Sequence, residues 1–159
     1  MNLPARGAYK FRPRRPALLR LEATARHVEL KCDLPTDLPT AFGDRVHISQ
    51  VILNLIINGM DAVQDQPPSN RRVILEARPG NAADLEITVR DCGHGIPEER
   101  LEEVFSPLVT TKAAGLGVGL ALSRMIVDAH GGRLWAENGS AGGAIFRFTL
   151  PRGSTLPGH

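Results

Sequence analysis

Residues 45–64, RVHISQVILNLIINGMDAVQ, make up the longest stretch of the chain with a helical hydrophobic period, and QDQPPSN at 64–70 ends it with two prolines. The period then changes. RRVILEARP (71–79) and DLEITVRD (84–91) alternate like strands, and the short GNAA (80–83) between them predicts a hairpin. Upstream, PALLRLEATARHVEL (16–30) reads as a short helix running into a strand near Val28–Asp33, followed by the turn-rich loop PTDLPT (35–40). Downstream, PEERLEEVF (97–105) reads as a short acidic helix with Pro97 at its first position. Val118–Ala129 reads as a second substantial helix stopped by HGG, and RLWAEN and GAIFRFTL as two closing strands around a glycine-rich turn. This order predicts an α/β sandwich, a mixed and mainly antiparallel sheet with about three helices on one face. Residues 1–16 read as a linker or arm, 17–151 as the folded domain and 152–159 as a flexible tail.

A chain of 159 residues, 42% apolar and 23% charged, is of single-domain size and has the composition of a globular protein. No apolar run reaches the ~20 residues of a membrane span. Cys32 and Cys92 form neither a disulfide framework nor a metal spacing, and read as free thiols of a cytoplasmic protein. The net charge of +2 hides an asymmetry: six of the 19 basic residues precede Glu22, leaving 13 against 17 acidic residues over the whole chain. A basic arm is one route to nucleic acid. This one holds Pro4, Pro13 and Pro16 and a single aromatic pair, Tyr9 and Phe11, with no repeated pattern. Neither nucleic acid nor a membrane is expected as a partner of this domain.

Three stretches carry chemistry. Gln50, Asn54, Asn58 and Asp61 share one side of the long helix. Asparagine is a poor helix former, so two of them one turn apart need a reason. Core amides bonded to neighbouring loops would supply one. A pocket offering amide oxygens to a hard cation, with phosphates and waters completing its octahedron, would supply another. DCGHGI (91–96) puts a carboxylate at a strand end before alternating glycines, which suits either a turn or a site for a flat ring with an exocyclic amine. GLGVGL (115–120) is likewise either a tight turn or a loop lying against phosphate oxygens.

Taken together, NLIINGMDA (54–62), DCGHGI, FSPLVTTK (105–112) and GLGVGL resemble, in order and spacing, the catalytic, ATP-binding domain of bacterial sensor histidine kinases. That family belongs to the wider gyrase, chaperone, kinase and mismatch-repair ATPase group. The likeness runs from about Leu18 to Pro151 and includes GGRLWAENGSAGGAIFRFTLP (131–151). It implies Mg²⁺ and ATP as cofactors, with Asn58 as the metal ligand and Asn54 beside the phosphates. Asp91 would recognise the adenine amine, with Gly93, Gly95 and Ile96 shaping the base pocket. Phe105, Thr110, Thr111 and Lys112 would open the ATP lid, with Lys112 reaching a terminal phosphate. Gly115, Leu116, Gly117, Val118, Gly119 and Leu120 would surround the phosphates. The lid is short, as in the nitrogen-regulatory and oxygen-sensing subgroup. Departures are Gly59 where alanine is commoner, Leu108 and Val109 in place of an aromatic pair, and Ala144 in place of threonine.

A phosphoacceptor histidine in this family sits early on a helix with an acid or amide after it. His27, His47, His94 and His130 are followed by Val28, Ile48, Gly95 and Gly131, so none fits. The expected activity is therefore donation of the γ-phosphoryl of Mg-ATP to a histidine on a separate dimerisation domain, with a response regulator downstream. ATP hydrolysis is the competing activity. Gyrase-like relatives place a glutamate one turn before the metal asparagine, and here that position is Asn54. A nucleotide-sensing module without catalysis is a third possibility, against which the intact motifs argue.

Overall fold

The long helix starts where one side chain permits it. Asp44, in extended backbone, accepts hydrogen bonds through Oδ1 from the amides of Val46 and His47 at 2.9 and 3.2 Å, and so caps α2, Arg45–Ala62. A computed structural model describes residues 6–12, 17–81, 83–106 and 117–153. Around α2 stand β1 (Arg6–Lys10), α1 (Ala17–Ala25), β2 (Glu29–Asp33), β3 (Thr40–Asp44), β4 (Arg72–Pro79) and β5 (Asp84–Asp91). α3 (Gly117–Ala129), β6 (Leu134–Asn138) and β7 (Ala144–Pro151) complete the described fold.

Five strands form one sheet in the order β2-β4-β5-β7-β6, and only the β2–β4 pair is parallel. Alternation sorts its faces. Val73, Leu75, Leu85, Ile87, Phe146 and Phe148 are buried, and Ile48, Val51, Leu55, Ile56 and Met60 of α2 join them in the core. Each such side chain contributes roughly 1.5–3 kcal/mol on burial. The opposite face carries an ion-pair ladder, with Arg90–Glu76 at 3.1 Å, Arg78–Glu86 at 3.2 Å and Arg147–Glu86 at 3.0 Å. A sheet with one helix-covered and one charged face is the two-layer sandwich the sequence predicts.

Three parts differ from the sequence reading. Arg6–Lys10, within the stretch read as a linker, form β1 and pair antiparallel with β3, which the periodicity also missed. Each strand is five residues long and contains a glycine, too short and too irregular for an alternation signal. PEERLEEVF is not one helix but two 3₁₀ turns, Glu98–Arg100 and Glu103–Phe105. Glu98/Glu102 and Glu99/Glu103 are like-charge i,i+4 pairs, which disfavour a continuous α-helix already too short to stand alone. At the other end, Arg152 bridges to Ala41 and the Gly153 amide donates to Thr40 O at 2.7 Å, so the ordered chain runs past the expected start of the tail.

Side-chain clasps lock the helices. Arg26 joins Glu22 of α1 to Asp61 of α2, at 2.7 and 2.6 Å. Buried His130, just after α3, accepts from the Asp44 amide at Nε2 (2.9 Å), so Nδ1 donates to Ile126 O at 2.8 Å. His130→Ala strands the buried Asp44 amide and leaves a cavity, so it should destabilise the fold by about 2–4 kcal/mol. Urea unfolding should show a lower midpoint at unchanged slope. An unchanged midpoint would mean that this clasp does not hold the α2 cap.

Candidate functional site

The polar stripe of α2 divides on folding. Asp61 turns to Arg26, while Gln50 donates to Asn54 Oδ1 at 2.9 Å. Asn54 Nδ2 then reaches α3, donating to Gly119 O at 3.3 Å and to the fully buried Ser123 Oγ at 3.2 Å. Gly119 and Asn54, predicted from separate motifs, are thus in contact: a Cβ on Gly119 would lie 3.6 Å from Asn54 Cγ. Asn58 stands one turn further along α2, half-buried.

Asp91 closes β5 and is 3% exposed. Its Oδ1 accepts from the amides of Gly93 (2.8 Å) and Ala144 (3.2 Å). Two backbone donors on one oxygen fix the carboxylate's orientation and leave little freedom to the loop after it. That loop lies on the end of α2. A Cβ at Gly93 would stand 2.5 Å from Ala62 O and 3.0 Å from Asp91 Oδ1, so no other residue fits without movement. Gly95 has φ +80°, a conformation that favours glycine.

Asn138 holds the next residue on both sides, accepting from Ile96 N at 2.8 Å and donating to Ile96 O at 2.6 Å. Phe105 is buried edge-on against Phe146, with centroids 6.1 Å apart. Arg124 of α3 lies over the Phe105 ring at 4.6 Å from its centroid and pairs with Glu102 at 2.6 Å. Sequence reasoning missed Ser123, Arg124, Asn138 and the Ala144 amide, because each acts through a residue distant in the chain. Leu120 belongs to the core, 7% exposed. Gly117 and Val118 begin α3. Thr110, Thr111, Lys112, Gly115 and Leu116, with Leu108 and Val109, lie outside the described residues.

The α2 stripe, the end of β5 and the start of α3 therefore converge. Their donor set is one oriented, buried carboxylate and two helix amides. Among the described residues no group of three His, Cys, Asp or Glu side chains is placed to cage a metal. Such a set suits a cation held by few protein ligands and completed by phosphate and water oxygens. His47 is exposed and lies 3.6 Å from Asp44, and exposed His94 contacts Gly95 O at 2.7 Å. No helix among the described residues is long and apolar enough to cross a membrane.

Comparison with known proteins assigns the family. Sensor protein FixL of Bradyrhizobium diazoefficiens is 39% identical over 129 residues, covering 81% of this chain and 25% of FixL. Sensor histidine kinase TmoS of Ectopseudomonas mendocina is 36% identical over 135 residues, 84% of this chain and 14% of TmoS. The chain thus spans a quarter or less of these two relatives. Among solved structures, the catalytic domain of histidine kinase ThkA superimposes with a TM-score of 0.73 at 29% identity, covering 85% of this chain and 86% of that one. Residues 43–154 match the profile described as "Histidine kinase-, DNA gyrase B-, and HSP90-like ATPase", and the chain belongs to that family.

Proposed function

We propose that this chain is the nucleotide-binding part of a two-component sensor histidine kinase, transferring the γ-phosphoryl of ATP to a histidine on a separate dimerisation domain. The observation that carries this reading is Asn54. Where hydrolytic relatives hold a glutamate base, a neutral amide bonds to Gln50, Gly119 and Ser123 and takes no proton from water. The kinase relatives and the ThkA catalytic-domain likeness support the same branch. ThkA has also been solved with the response regulator TrrA, which supports a response regulator as the downstream partner here. The two free thiols fit a cytoplasmic location.

In this reading Asp91 accepts from the adenine amine, and Gly93, Gly95 and Ile96, held by Asn138, shape the base pocket. The glycines at 115, 117 and 119 and the start of α3 present backbone amides to the phosphates. Lys112 meets the terminal phosphate, and the residues between Ser106 and Gly117 cover the nucleotide. The acceptor's imidazole nitrogen forms a bond to the γ-phosphorus as the bridging P–O bond breaks, and ADP leaves with the electron pair. The protein's part is positioning and charge neutralisation. Mg²⁺ would be held by Asn58 and would supply positive charge to offset the negative charge of the phosphates.

Asn58 separates metal from base. Asn58→Ala should weaken ATP-analogue binding in Mg²⁺ by about tenfold or more, the cost of a lost charge-assisted contact, while adenosine binding stays within about twofold. Paired calorimetric titrations check this. Proportional loss of both ligands would indicate a pocket-wide disturbance and remove the metal role.

A further inference from the structure

α2 has a second working side. Ile52 and Ile56 project away from Asn54 and Asn58 by helical spacing, and they line a cavity of about 660 Å³. Leu19 of α1, Leu30 of β2 and Leu75 of β4 complete its apolar walls. The size is that of a small-molecule site. Its rim is different. Lys10, Arg12 and Arg45 are exposed there, and none of the described residues lining the cavity is acidic.

The rim holds one of its charges over an aromatic ring. Tyr9 lines the cavity beneath Arg45, whose guanidinium lies 5.1 Å from the ring centroid. The Tyr9 hydroxyl oxygen is buried and has no hydrogen-bond partner among the described residues. Burial pushes this phenol up to about 12, against the lowering effect of Arg45 and with a raising effect of Asp44, so it is uncharged at neutral pH and does not neutralise Arg45. Its oxygen faces away from the open space, so the Tyr9 ring forms wall and Arg45 is the charged partner that a ligand meets there.

We propose that this cavity is a second ligand site, for a small amphipathic carboxylate. The apolar body lies against Leu30 and the edges of Leu19 and Ile52, and the carboxylate sits at the basic rim, paired with Arg45. Guanidinium and carboxylate match in geometry as well as charge. Asn54, Asn58 and Asp91 do not line this cavity, and Gln50, which donates to Asn54 Oδ1, stands between the two sites, so this one does not depend on the proposed nucleotide pocket.

The chain carries a reporter for each site. Cys32 lines the cavity and Cys92 follows Asp91, both partly accessible. Decanoate serves as the probe, titrated calorimetrically into the 159-residue chain with and without a saturating ATP analogue. Saturable binding is expected in both cases, with decanol about tenfold weaker or worse because it carries no charge for Arg45. Arg45→Gln should weaken decanoate by about tenfold or more. Iodoacetamide labelling read by mass spectrometry should show decanoate shielding Cys32 and leaving Cys92 unchanged. Absence of saturable binding, equal affinity for decanol and decanoate, or shielding of Cys92 in place of Cys32 would each overturn the proposal. The decanol comparison and the labelling use the unmutated chain, so they hold even if a variant misfolds.

Discussion

Asp91→Asn should lower affinity for an ATP analogue by about ten- to hundredfold while leaving the chain folded, the cost of one charge-assisted hydrogen bond to the base. The reason lies in the two amides already on the carboxylate. Gly93 N and Ala144 N both donate to Oδ1, and an amide oxygen accepts from them equally well. The asparagine is therefore held with its oxygen toward the backbone and its NH₂ where the second carboxylate oxygen stood. A donor then meets the adenine amine, itself a donor. Reversing the amide would set its NH₂ against two backbone donors. Calorimetry on protein with an unchanged melting temperature measures the loss. Unchanged affinity would remove Asp91 from base recognition.

The parts of the fold that could be read from the sequence are those with a repeating signal. α2, the β4–β5 hairpin, α3 and the closing strands each carry a period and a stop. β1 and β3 carry neither, and they form only because residues 6–10 meet residues 40–44 across the chain. The site behaves similarly. The α2 stripe marked Asn54, but not that its partners would be Gly119 and Ser123, more than sixty residues on. Asp61, in the same stripe, is taken by Arg26 from α1, which no helical spacing announces.

Gly59 illustrates the gap most clearly. From sequence it is a loss of roughly 1 kcal/mol of helix propensity with no return. In the fold, a Cβ there would press the Val73 methyl carbons at 3.2 Å and lie 3.6 Å from Asp91 Cβ. The glycine lets α2 approach the end of β5, which brings the helix stripe and the carboxylate to one site. Arg124 is the converse case. An arginine in the middle of α3 looks like solvated surface, yet it covers Phe105 and pairs with Glu102.

The second large effect concerns the fate of bound ATP. With Asn54 in place of a base and no described histidine in a phosphoacceptor setting, the isolated chain should neither label itself nor turn ATP over rapidly. His47 lies beside Asp44, His94 contacts Gly95 O, and His130 is buried between Asp44 N and Ile126 O. On the proposed reading the γ-phosphoryl waits for an acceptor. Adding a dimerising helical hairpin that carries an acceptor histidine should start transfer. Fusing it to the chain should accelerate transfer further, because a short flexible linker raises the effective concentration of acceptor to about the millimolar range.

The most direct test of the central claim is radiolabel transfer from γ-labelled ATP to such a hairpin, followed in trans and in the fused protein. The account predicts acid-labile phosphohistidine on the hairpin alone, faster in the fusion, with ATP stable when the hairpin is absent. Rapid ATP turnover by the isolated chain that disappears in Asn54→Ala, with no label on the hairpin, would contradict it and make the protein a hydrolase.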